Sequence, residues 1–172
     1  MPQIDIVLVE PLYEGNIGFA ARVMKNFGFK NMVLVNPPEL TVEARARASH
    51  AKDVLDNAEY LSLDEVFDSI TLCISTTGGL SLSVSHPMRM PYYAVSELRE
   101  MIGDIDGRIS ILFGRENWGL NNEEIAQCDI VCTVPTSEEY PILNISHAIG
   151  IVCYELAHLQ RGEYMLASKQ EM

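Results

Sequence analysis

Five short apolar runs, separated by polar turns and helix-patterned stretches, set the limits on what this chain can fold into. They lie at residues 4–9, 32–35, 70–74, 109–113 and 130–134. Each is mostly apolar or β-branched, with Asp5 and Ser110 as the exceptions, rather than alternating, as expected of strands buried on both faces of a parallel sheet. After the first run, Ile17, Ala20, Ala21, Met24 and Phe27 recur at helical spacing, and Gly28 reads as the helix stop. Pro37 and Pro38 end the second run. Thr41 predicts the cap of a helix reaching about Ala51, and Ser62-x-x-Glu65 has capping-box spacing. Residues 76–91 read as a loop, 94–101 and 122–127 as short helices, and the last helix opens near Asn144 and runs to about Leu159. The alternation predicts an α/β fold with a largely parallel sheet flanked by helices. One domain over residues 1–160 and a tail over 161–172 are expected. No internal repeat is visible.

Composition narrows the function. No apolar run approaches the ~20 residues that span a bilayer. The start of the chain has no basic segment followed by an apolar core, so a cytoplasmic protein is expected. The four cysteines, Cys73, Cys128, Cys132 and Cys153, form no C-x-x-C pair and sit in apolar stretches. Buried free thiols are expected, with no metal site. The chain of 172 residues has a formal net charge of −12, which argues against indiscriminate nucleic-acid binding. The charge is uneven, however. Residues 1–52 hold 6 basic and 5 acidic residues, net +1, and the remainder carries −13. A polyanionic partner should meet the N-terminal third, where Arg22, Arg45 and Arg47 lie.

In open parallel sheets, ligands sit beyond the C-terminal ends of the strands. Three unusual segments fall there. In Gly15-Asn16-Ile17-Gly18-x-x-x-Arg22, the turn puts helix amides forward to meet an anion, with Arg22 one turn further on. In Phe113-Gly114-Arg115-Glu116-Asn117-Trp118-Gly119-Leu120, a strand runs into two glycines that bracket a charged pair and the only tryptophan. Those glycines would let a ligand approach the backbone closely. In Val134-Pro135-Thr136 with Ile142-Leu143-Asn144-Ile145-Ser146-His147, Asn144 is a natural helix cap, and no acidic neighbour completes a Ser-His triad. His147 reads as a packed or surface histidine.

Together these segments resemble, in order and spacing, the three motifs of the SpoU branch of the SPOUT RNA methyltransferases. The residues that carry the resemblance are Asn16-x-Gly18-x-x-x-Arg22, Phe113-Gly114-x-Glu116-x-x-Gly119-Leu120, and Pro135 with Leu143-Asn144-x-Ser146, through Tyr154-Glu155. Residues 6–10, 33–37, 58–63 and 121–124 look most like the tRNA 2′-O-methyltransferases that modify ribose 32 of the anticodon loop. The resemblance implies a C-terminal deep trefoil knot, S-adenosyl-L-methionine as cofactor, an RNA substrate, most often tRNA, and a homodimer with active sites at the subunit interface. Carried onto this sequence, the cofactor contacts are Thr76, Thr77, Gly78, Gly114, Glu116, Val134, Leu143, Asn144 and Ser146. The catalytic group is Arg22 with Asn16, Glu116 and Asn144. RNA contacts are assigned to Arg22, Arg45, Arg47 and Arg115.

A guanidinium is effectively always protonated, so Arg22 is read as stabilising a developing alkoxide or clamping a phosphate rather than as a base. Where many members have Ser-Leu-Asn, this chain has Ile142-Leu143-Asn144, and no role is carried onto Ile142. Bacterial members add a C-terminal extension, whereas this chain ends about ten residues after its last predicted helix. Either a minimal or truncated form or a different mode of RNA recognition is expected. A non-catalytic RNA- or ligand-binding knotted module, another target ribose, and an unrelated nucleotide-binding α/β protein stay open at this point.

Overall fold

The computed structural model describes residues 2–78 and 92–161. The elements run β1 (Gln3–Val9), α1 (Glu14–Asn26), β2 (Asn31–Val35), α2 (Val42–Ala48), a 3-10 turn (Ser49–Ala51), α3 (Lys52–Asp56), β3 (Glu59–Tyr60), α4 (Leu63–Asp68) and β4 (Leu72–Thr77). They continue with β5 (Tyr92–Ala94), α5 (Val95–Ile102), β6 (Arg108–Phe113), α6 (Asn122–Ala126), β7 (Ile130–Thr133), α7 (Ile145–Leu156) and α8 (His158–Arg161). The strands form one sheet in the order β3-β2-β1-β6-β4-β7-β5, every pairing parallel.

The mostly apolar runs explain the layering. Successive strand side chains point to opposite faces, so each run feeds two cores. Ile4, Ile6 and Leu8 of β1 pack with α1, α2, α5 and α7 on one side. Val7 and Val9 pack with Val33, Val35, Leu112, Val66 and Ile125 on the other, under α4 and α6. The predicted buried thiols are there: all four cysteines are buried and free. Cys73 and Cys128 bring their sulfurs to 2.7 Å of each other. Burial raises the Cys132 thiol to about 12, so it stays protonated at neutral pH.

Helix α1 ends as the sequence indicates. Gly28 takes φ +83°, its N–H donates to the Lys25 carbonyl at 3.2 Å, and the Phe29 N–H donates to the Met24 carbonyl at 2.9 Å. This pair of bonds is the left-handed glycine stop. Ser62 and Glu65 form the expected reciprocal box at 3.2 and 3.1 Å.

Several expectations are corrected. The helix from Thr41 is broken at Ser49, a non-glycine at φ +53°, and resumes as α3. Thr41 does not cap it through its own side chain. Glu14 of α1 does so from outside, accepting from the Thr41 N–H, the Thr41 hydroxyl and the Ala44 N–H at 3.2, 2.6 and 2.9 Å. The third strand sits later than expected, because the β-branched Thr76 and Thr77 extend it. Two short strands, β3 and β5, were not expected. Both are at sheet edges and lack an apolar run. The last helix divides into α7 and α8. Residues 79–91 of the expected loop, and the expected tail from residue 162, lie outside the described residues.

Candidate active site

The C-terminal ends of β1, β4, β6 and β7 bring the three motif segments to one end of the sheet. Beyond them lies a cavity of about 220 Å³. Thr76, Thr77 and Gly78 line it from β4, and Gly114 to Leu120 from the loop after β6. Val134 and residues 141–143 line it after β7, and Ile145, Ala148 and Val152 close it from α7. Seven of the nine residues assigned to a cofactor are in this lining: Thr76, Thr77, Gly78, Gly114, Glu116, Val134 and Leu143. Asn144 and Ser146 are not. They line a second, larger groove with Arg22, Phe19, Phe27, His147 and Tyr154 on the other side of α7. His147 is exposed there.

Glu116 joins the first two segments. Its carboxylate accepts from the Leu12 N–H at 2.9 and 3.1 Å, the Tyr13 N–H at 2.8 Å and the Asn16 side-chain amide at 3.3 Å. The turn that leads into α1 thus meets a carboxylate of the protein itself, through the Leu12 and Tyr13 N–H groups just ahead of the helix. Asn16 in turn accepts from the Asn144 side-chain amide at 3.4 Å. The Asn144 carbonyl oxygen accepts from the Ser146 N–H at 2.9 Å and the Ser146 hydroxyl at 2.6 Å, capping α7. One hydrogen-bonded chain, Glu116–Asn16–Asn144–Ser146, therefore crosses all three segments.

The glycine reading changes as well. A Cβ on Gly114 would lie 2.2 Å from the Gly119 backbone, so the bare face of Gly114 admits the loop's own return rather than a ligand. Gly119 takes φ +76° to make that return. Gly18 has a packing role: a Cβ there would lie 2.2 Å from the Ala44 carbonyl oxygen, where α2 crosses α1.

Arg115, which the sequence assigns to RNA contact, is engaged with the protein's own groups. Its side chain is buried and all its donors are engaged within the protein. It forms a two-pronged pair with Glu124 at 2.7 and 2.9 Å, reaches Glu10 at 2.7 and 2.5 Å, and donates to the Gly119 carbonyl at 3.2 Å. Burial pushes Glu124 up, but bonds from Arg115 and the Asn121 amide outweigh it and hold the carboxyl below its ordinary range. Glu10, just past β1, is held at φ +49°. The roles of Glu10 and Glu124 were missed because the partners are 105 and 9 residues from Arg115 and share no motif with it.

The other arginines differ from one another. Arg45 is paired with Asp56 at 2.8 Å on the surface. Arg47 lies over the Phe19 ring, 5.4 Å from its centroid. Arg22 is exposed and makes no hydrogen bond or ion pair among the described residues. Among those residues, no cluster of three or more His, Cys, Asp and Glu side chains is placed to hold a metal. No helix among them is long and apolar enough to cross a membrane.

Residues 3–154 match the SpoU rRNA methylase family. The chain belongs to that family. A tRNA (cytidine-2′-O-)-methyltransferase, TrmJ, of Methanocaldococcus jannaschii is 42% identical over 155 residues, covering 89% of this chain and 66% of that protein. A probable methylase family protein from Haemophilus influenzae superposes with TM-score 0.84 at 31% identity, covering 99% of this chain and 74% of that one. TrmJ from Z. mobilis superposes with TM-score 0.80 at 29% identity, with the same coverages. The chain spans less than two thirds, 61–66%, of the length of these curated relatives. The three segments at the sheet end all lie within the matched residues, on an α/β fold shared with these structures.

Proposed function

We propose that this SpoU-family chain is an S-adenosyl-L-methionine-dependent methyltransferase acting in the cytoplasm on a ribose 2′-hydroxyl of RNA, with tRNA as substrate and ribose 32 of the anticodon loop as target. The observation that carries this reading is the Glu116–Asn16–Asn144 chain between a strand-end cavity and an exposed Arg22 that has no hydrogen-bond or ion-pair partner among the described residues.

The cavity suits the cofactor. Leu120, Leu143 and Val152 offer apolar surface for a purine, while Thr76, Thr77 and Gly78 add hydroxyl and backbone groups. When bound, S-adenosyl-L-methionine supplies an electrophilic methyl group. The chain's own task is to align the ribose hydroxyl and stabilise the negative charge that develops on its oxygen. Arg22, permanently cationic, serves that charge or holds a neighbouring phosphate. Glu116 and Asn16 act as positioning residues, fixing α1 and hence Arg22. Asn144 and Ser146 hold the start of α7, the wall between cavity and groove.

The groove of about 760 Å³ along α1 and α7 exposes Phe19, Ile151 and Tyr154 around Arg22. This supports a homodimer packed through these helices, so that each Arg22 stands beside the partner subunit's cavity. The insertion of β6 between β1 and β4, with the loops after β6 and β7 meeting at one cavity, supports the C-terminal trefoil knot. An experimental structure whose complete chain trace is unknotted would overturn that part.

The test is transfer of labelled methyl to unmodified tRNA transcript, followed by ribose-methylation mapping. Label at ribose 32 is expected. Label at another nucleotide rejects the target, and tRNA binding with no incorporation indicates a non-catalytic RNA-binding module. Arg22→Lys keeps the charge but loses the fork. Full activity of that variant at saturating tRNA would reject the role given to Arg22.

A further inference from the structure

Trp118 is the chain's only tryptophan, and the mechanism above leaves it unused. It lines the cavity yet is 57% exposed. A tryptophan kept for packing buries most of its surface. One face of the Trp118 ring is covered by the Arg115 guanidinium, 4.3 Å from the ring centroid. That guanidinium is itself locked by Glu10, Glu124 and the Gly119 carbonyl. The indole is thus held in a fixed plane from beneath, without being buried from above.

Its surroundings match. Tyr13 is 63% exposed, and its N–H is tied to Glu116, two residues before Trp118. Ile142, 66% exposed, lines the same cavity. The mouth of the proposed methyl-donor cavity therefore carries a preset flat ring with apolar neighbours. Unpaired RNA offers flat partners, its bases, and proteins bind such nucleotides by stacking them on aromatic rings.

We propose that the free face of Trp118 is the stacking platform for the nucleobase of the nucleotide whose ribose is methylated. This rests on the RNA methyltransferase reading. Trp118 is a positioning residue here. It reads the face of the base and not its edges, so it adds affinity for every base and discriminates little among them.

A single tryptophan makes the test direct. Intrinsic fluorescence of the wild-type chain is followed on adding S-adenosylhomocysteine alone, then tRNA transcript. Quenching that saturates with tRNA, and little change with S-adenosylhomocysteine alone, is expected. Trp118→Ala should raise the KM for tRNA about tenfold, with unchanged affinity for S-adenosylhomocysteine, and Trp118→Phe should restore most of the loss. Quenching by S-adenosylhomocysteine alone, with weakened affinity for it in Trp118→Ala, would place the ring against the cofactor's adenine and overturn the proposal. An active wild type with unquenched fluorescence and an unaltered KM in Trp118→Ala would also overturn it, leaving the methyltransferase reading intact. Quenching by tRNA in a wild type that methylates no RNA would overturn that reading while the stacking contact stood.

Discussion

Asn16 donates its side-chain amide to Glu116 across 100 residues of sequence, at 3.3 Å. Through its other amide atom it accepts from Asn144, 128 residues away. A short polar side chain thus fixes the entry of α1 to the loop after β6 and to the cap of α7. Asn16→Ala removes both bonds at a cost of about 1 kcal/mol, and Asn16→Asp sets a second carboxylate against Glu116. Thermal unfolding should therefore rank wild type above Asn16→Ala above Asn16→Asp. Methylation of tRNA should fall at least tenfold in both variants. An Asn16→Asp variant as stable as wild type would refute the arrangement.

The Arg115–Glu124 pair makes acid stability depend on one carboxyl. Both side chains are almost fully buried. Breaking such a pair from one side costs about 3 kcal/mol, so Glu124→Gln should unfold about 6–12 °C below wild type at neutral pH. The folded-state pKa of Glu124 is depressed from its ordinary value of 4.5. The stability it contributes is thus complete above that value and is lost as pH falls through the folded-state pKa. Denaturation of the two proteins across pH 2–8 should show a gap that closes only at the acid end. A gap independent of pH would contradict the assignment.

Gly18→Ala tests the crossing of α1 and α2. The added methyl would meet the backbone oxygen of Ala44, which no rotamer change can relieve. A loss of about 1–3 kcal/mol is expected, read as a lower midpoint in urea with an unchanged slope. A helix-favouring gain, as for Gly→Ala in an open helix, would show that the helices sit further apart.

The basic third of the chain is unequal in its capacity for RNA. Arg45 already faces Asp56, whereas Arg47 lies over the Phe19 ring and has no ion-pair partner among the described residues. Arg47→Ala should raise the KM for tRNA several-fold and reduce the salt slope of tRNA binding by about one. Arg45→Ala should do less, and neither should change cofactor affinity. Equal effects from the two variants would mean that the Asp56 pair does not persist in solution.

Local signals in the sequence were legible because they depend on near neighbours. The Gly28 stop, the Ser62–Glu65 box and the five apolar runs are of this kind. So was the gathering of the motif segments at one sheet end, since parallel strands deliver their loops there. Contacts made by tertiary packing were not legible. Glu14 capping α2, Glu116 accepting from the Tyr13 amide ahead of α1, and Glu10 and Glu124 holding Arg115 each join an ordinary-looking acid to a partner outside its own motif. The two edge strands escaped notice because two or three residues without an apolar run carry no periodicity.

Helix α7 is a party wall. Ile145, Ala148 and Val152 look into the cavity, while Ser146, His147 and Ile151, from the same twelve residues, look into the groove. A rigid rod cannot be shifted on one side alone. Whatever fills the cavity pushes on the surface that the groove offers to its own occupant, and whatever fills the groove pushes back. Substitutions chosen to reshape either room must therefore be assayed in both.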